Sequence, residues 1–162
     1  MKTARGFSLV EMLAYLFILT LLSLVLVNVL VLIINSFTAA QAARNLNQTA
    51  TVALGRMMQE IRQAKSATVP SANQLSLTTT DSAGDPITVS FSVAGGVLNL
   101  QTGAGAAVAL TTGHSQVSAL TFTKITTANS EAVRVQLTLT DDRGQSPPTI
   151  NFYTTAVLRG SY

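Results

Sequence analysis

Residues 12–34 read MLAYLFILTLLSLVLVNVLVLII, 23 consecutive positions without a charge. No charged side chain stands between Glu11 and Arg44. A bilayer core takes about 20 apolar residues of helix. A soluble buried helix is seldom apolar on every face for so long. The stretch therefore predicts a membrane span, with Thr20, Ser23 and Asn28 as its clearly polar members. A cleavable secretory signal has a shorter apolar run followed by small residues. Here the run exceeds that length, although Ala39, Ala40, Ala42 and Ala43 follow it. Lys2 and Arg5 precede the span, which predicts a cytoplasmic N-terminus and a C-terminal bulk outside the cytoplasm.

The rest of the composition fits that division. The chain has 162 residues, of which 48% are apolar and 10% charged, where about 25% charged is usual. This excludes a disordered, highly charged tail protein. There is no cysteine, hence no disulfide framework, thiolate zinc site or cysteine nucleophile. A single histidine excludes a metal site built from clustered imidazoles. The net charge of +3 is not gathered in one block and does not point to nucleic acid.

Outward from the span, helical periodicity continues. Ala39, Ala43, Leu46, Ala50, Leu54, Met57, Ile61 and Ala64 recur at steps of three and four. No proline precedes Pro70. One helix is expected from about Phe7 to Ser66, roughly 90 Å at 1.5 Å per residue. Its first half sits in the membrane. Its second half, lined with alanine, is expected to pack on its own domain rather than form a free coiled coil.

Residues 67–162 read as strands. Leu75 and Leu77, then Ile87 to Val93, then Val133 to Leu139 alternate with polar neighbours. Further candidates are Val97–Gln101, Ala107–Thr111, Val117–Ile125 and Thr149–Val157. Turn signals separate them at Asp81–Pro86, Gly95–Gly96, Gly103–Gly105, Thr126–Ser130 and Asp141–Pro148. The expected class is α+β: a long N-terminal helix packed on a C-terminal antiparallel β-sheet head. The simplest version is one sheet with one apolar face. The organisation expected is 1–6 leader, 7–35 apolar helix, 36–66 amphipathic helix and 67–162 head.

The junction before the span reads Lys2-Thr3-Ala4-Arg5-Gly6-Phe7-Ser8-Leu9-Val10-Glu11. Glu11 is a carboxylate at the edge of an uncharged membrane segment, a costly place that calls for a partner. The plainer reading is solvation at headgroup level.

The stretch Gly6-Phe7-Ser8-Leu9-Val10-Glu11 resembles the class III signal of type IV pilins and type II secretion pseudopilins. The resemblance is close over residues 5–13, and looser over the whole chain. It implies that a prepilin peptidase cuts after Gly6 and methylates the Phe7 amine. It also implies that Glu11 pairs with the Phe7 amine of a neighbouring subunit. A paired charge is tolerable in a packed core of low dielectric, and an unpaired one is not. The implied partners are other pilin or pseudopilin subunits, the peptidase, an inner-membrane assembly platform, and membrane lipid before assembly. No cofactor or metal is implied. The chain departs from the common pattern in lacking a mid-span proline and a C-terminal cysteine pair. The run Gln59–Ala64, the short strands that follow and the final Ala156–Gly160 most resemble J-type and related minor subunits, with a major subunit as the alternative.

Other chemistry is thinner. His114 beside Ser115 has no base–orienter partner in sequence and reads as a loop residue. Asp81–Asp85 and Asp141–Gly144 lack EF-hand spacing and read first as turns. Gly103-Ala104-Gly105 is not followed by Lys-Ser/Thr and is a turn, not a phosphate loop. No constellation for an enzyme emerges. The reading is a structural subunit of a bacterial pilus-like filament or secretion pseudopilus. The alternatives are a filament-displayed DNA-uptake or adhesion receptor, and an anchored surface protein that never polymerises. With one aromatic residue between Thr38 and Ser118, nucleic acid is not expected as a partner.

Overall fold

The computed structural model describes residues 8–111, 113–127, 130–143 and 148–159. The class is α+β: a long N-terminal helix, α1 (Leu9–Gln63), precedes eight strands, and its second half packs on two antiparallel sheets. The chain divides into two compact units, Met1–Ala40 and Gln41–Tyr162.

In the first unit every described residue is exposed. The helix continues through this stretch with no glycine or proline to break it. Its hydroxyls fold back on the backbone. Thr20 Oγ1 donates to the Leu16 carbonyl at 2.8 Å, and Ser36 Oγ to Leu32 at 2.9 Å. Such internal satisfaction lowers the cost of placing a hydroxyl in hydrocarbon.

In the second unit the helix buries Ala42, Leu46, Ala50, Ala53, Met57 and Ile61, followed by Ala64 beyond its end. This face is turned slightly from the expected stripe. Ala39 is exposed and Ala43 and Leu54 are half-buried, whereas Ala42 and Ala53 are buried. Glu60 is buried on the same flank and paired with Arg56 at 2.7 Å.

The helix ends at Gln63, three residues short of the expected Ser66, and a strand begins almost at once. The first sheet has the order β1 (Ser66–Ser71), β2 (Gln74–Thr80), β3 (Pro86–Ala94), β4 (Val97–Thr102), β5 (Val108–Ala109). The second holds β6 (Ser115–Thr126), β7 (Glu131–Asp141) and β8 (Thr149–Val157). The strands thus form two sheets, where a single one was the simplest expectation. One core cluster joins the helix face to Leu75, Leu77, Phe91 and Leu98 of the first sheet and Phe122, Val135, Leu137 and Leu139 of the second.

Two local features make this possible. The pairing of β6 with β7 shifts register between Val117 and Ala119. Ser115 and Val117 face inward before this bulge, and Leu120 and Phe122 after it. The extra residue resets the alternation so that both halves of a long strand keep an apolar face on the core. At the other end, Lys124 Nζ donates to the Ala67 carbonyl and meets Glu131 Oε1, both at 2.9 Å. That contact ties β6 to the first strand of the other sheet.

Candidate functional site

The carbonyl of Ser8 accepts the amides of Glu11 (3.0 Å) and Met12 (3.1 Å). Ser8 therefore stands at the N-cap, and Glu11 is the third residue of the first turn. The Ser-x-x-Glu spacing is that of a capping box. A carboxylate in the first turn also faces the positive end of the helix dipole and its unbonded amides. Among the described residues the Glu11 carboxylate has no hydrogen-bond or ion-pair partner. Gly6 and Phe7, the two processing residues expected from sequence, lie outside the described residues.

Around Glu11 the helix is apolar on all sides. Leu9 is 78% exposed, Leu13 59% and Phe17 67%, and the pattern continues to Phe37 at 73%. A patch of this size is not stable against water. It needs lipid or the apolar helices of other molecules. The arrangement is one anionic group at the start of a helix whose whole surface seeks an apolar partner.

In the head, the other residues singled out from sequence take distinct places. Asp81 Oδ1 accepts the amides of Ala83 (2.8 Å) and Asp85 (2.9 Å), which is an Asx-type turn. Asp141 is fully buried at the end of β7. Arg143 grips it with Nε to Oδ1 at 2.9 Å, Nη2 to Oδ2 at 2.7 Å and its own amide to Oδ1 at 2.9 Å. The Arg143 side-chain hydrogen bonds hold the Asp141 carboxyl below the ordinary aspartate range, against the opposing effect of burial. The β2–β3 turn and the end of β7 thus hold carboxylates already engaged by the chain itself.

His114 differs from its expected isolation. Its Nδ1 lies 2.7 Å from Asp142 Oδ1, and its carbonyl accepts the Asp142 amide at 3.0 Å. Sequence could not show this partner, which arrives from the far end of β7. Ser115 is not the third member of a catalytic set. Its buried hydroxyl lies 3.3 Å from Thr49 Oγ1 of α1. Between them these loops and the helix outline a small polar cleft of about 220 Å³, lined by Asn45, Gln48, Thr49, His114, Ser115 and Arg143 among others. No sequence signal marks it, since its walls come from positions about a hundred residues apart.

Compared with known proteins, residues 1–27 match the family model described as the prokaryotic N-terminal methylation motif. The match spans the junction, Glu11 and the first turns of the apolar helix. No curated protein and no solved structure gives a significant match to the chain. The likeness to known proteins is thus confined to residues 1–27, which carry a prepilin-like N-terminal methylation motif.

Proposed function

We propose that the chain is a non-enzymatic subunit, and a minor one, of a bacterial type IV pilus-like filament or type II secretion pseudopilus. The observation that carries this reading is Glu11. It is the one carboxylate at the start of a helix that is exposed and apolar from Leu9 to Phe37, within a segment matching the methylation motif. Before assembly the apolar helix lies in the membrane, with Lys2 and Arg5 on the cytoplasmic side. Cleavage after Gly6 removes both cations and creates an amine on Phe7. The helix then exchanges lipid for neighbouring helices, and Glu11 meets the Phe7 amine of an adjacent subunit. Desolvation makes that pairing selective, because an unmatched charge is strongly unfavourable in a helical core. The head contributes surface contacts and no chemistry of its own. The minor role rests on the resemblance of Gln59–Ala64, the short strands after it and Ala156–Gly160 to J-type and related subunits.

The test is the intact mass of the membrane-extracted protein, expressed with and without a prepilin peptidase. Loss of Met1–Gly6 with gain of one methyl group, dependent on the peptidase and abolished by Gly6→Val, is expected. An unchanged N-terminus overturns the reading in favour of a simple anchored protein. A cut near Ala43 makes it an exported soluble domain. The copy number relative to the main subunit in sheared filaments distinguishes a minor from a major role.

A further inference from the structure

Two antiparallel sheets have four outer edges, and among the described residues three of them are covered or blunted. The edge of β1 is short, carries Pro70 and has a register break between Thr68 and Ser71. It meets the outer edge of β6, with the Phe122 amide bonded to the Ala72 carbonyl at 2.7 Å and Lys124 Nζ to the Ala67 carbonyl at 2.9 Å. The edge at β5 is only two residues long. These are the usual devices by which proteins blunt an edge. Among the described residues, the fourth edge, β8, has none of them. It runs for nine residues, Thr149–Val157, with no charge, proline or glycine.

The hydrogen-bond phase of β8 follows from its two ends. The Pro148 carbonyl accepts the Asp141 amide at 3.3 Å, and the Leu158 amide donates to the Glu131 carbonyl at 2.9 Å. The register between β7 and β8 is unbroken between those points. In an antiparallel ladder, residues alternate between facing the neighbour and facing away. Ile150, Phe152, Thr154 and Ala156 therefore bond to β7. Thr149, Asn151, Tyr153, Thr155 and Val157 turn their amides and carbonyls outward. All five also expose their side chains, Tyr153 to 68%.

We propose that β8 is a homodimerisation edge, pairing antiparallel with β8 of a second copy about a two-fold axis at Tyr153. A second copy offers no other open edge among its described residues, so β8 can meet only β8. The pattern is self-complementary. Thr149 falls opposite Val157, Asn151 opposite Thr155, and Tyr153 opposite its own counterpart. Each outward amide then meets an outward carbonyl. A two-fold contact sets each residue against itself or its mate, so like charges would oppose one another. Here there is no charge to oppose. The central tyrosines form a cross-strand aromatic pair of the kind that stabilises antiparallel sheets. The two three-stranded sheets become one continuous sheet. This inference stands whether or not the chain polymerises through α1.

The experiment uses the full-length chain in detergent, where the absence of cysteine makes single-cysteine variants unambiguous. In the proposed register the two copies of residue 153 have Cα atoms about 5.5 Å apart, within disulfide range. Residue 151 lies about 14 Å from residue 151 of the second copy, four residues along the strand, and so does residue 155 from its counterpart. Under mild oxidation, Tyr153→Cys is expected to give at least fivefold more disulfide dimer than Asn151→Cys or Thr155→Cys alone. An equimolar mixture of the last two is expected to recover the dimer as a mixed pair. Adding Thr155→Pro to Tyr153→Cys removes an outward amide without touching the β7 pairing, and is expected to abolish the dimer with the circular dichroism unchanged. Equal yields from all three single variants, as association through α1 would give, overturn the proposal. So does a monomeric Tyr153→Cys together with a monomeric mixture, or cross-linking in cells chiefly to a different protein.

Discussion

The Val117 amide donates to the Gly96 carbonyl across 2.7 Å, joining the bulged strand of one sheet to the hairpin tip of the other. The carbonyl is in place because Gly95 and Gly96 have φ of 58° and 76°. With Ala94 paired to Val97, they form the two-residue turn whose twist matches the flanking strands. The joint between the sheets thus depends on a backbone conformation that costs other residues dearly.

Replacing Gly96 by valine is expected to lower stability by about 1–2 kcal/mol, the cost of forcing a side chain into left-handed backbone. The opposite holds for Gly55, which is exposed on α1 with open space around its absent Cβ. Gly55→Ala is expected to raise stability by roughly 0.5–1 kcal/mol through helix propensity. Guanidinium unfolding of the full chain in detergent reads both.

The helix face that meets the strands can be mapped by truncation. Leu46→Ala and Met57→Ala remove fully buried side chains and are expected to cost about 2–5 kcal/mol each. Val52, 67% exposed on the same helix, is expected to tolerate alanine within about 0.5 kcal/mol. Comparable losses at Val52 would mean that a different face of the helix meets the sheets.

The Asp141–Arg143 pair makes part of the head's stability acid-sensitive. The folded state holds the Asp141 carboxyl below its ordinary range, so the folded state favours the ionised form. That contribution is fully present at neutral pH and is lost as pH falls below roughly 4, through the folded pKa. Asp141→Asn is expected to lower the unfolding midpoint at pH 7, and the gap from the parent protein should narrow toward pH 3. A gap that stays constant with pH would show that the carboxylate charge contributes nothing.

Under the filament reading, Glu11 separates processing from assembly. Glu11→Ala is expected to leave cleavage after Gly6 intact, as read by mass, while the protein disappears from the sheared filament fraction and accumulates in the membrane. Retention in filaments at the parent level would sink the proposed pairing with the Phe7 amine.

Much of this was legible from the chain alone. The uncharged run 12–34, the three-and-four spacing to Ala64, and the alternation at 133–139 each record a single element's exposure, and adjacent residues carry that record. The strand β1 was not legible as an element, because SATVPS offers only Ala67 and Val69 as inward positions and contains a proline. At the N-terminus, Ser8 and Glu11 open the helix together, a local spacing that adjacent residues record, while Gly6 and Phe7 lie outside the described residues.

The sequence by itself determined a membrane-grade helix with one carboxylate at its start, continuing into an alanine-lined face and an alternating, strand-forming remainder. These follow from periodicity and desolvation, which act residue by residue. Tertiary structure alone decided that the strands split into two sheets, that the bulge between Val117 and Ala119 keeps β6 facing the core, that Asp142 reaches His114, and that β8 lies at the outside of its sheet. Those outcomes depend on which distant backbone amides and carbonyls satisfy one another. A backbone group carries no side-chain signature, so its choice of partner is written only in the folded chain.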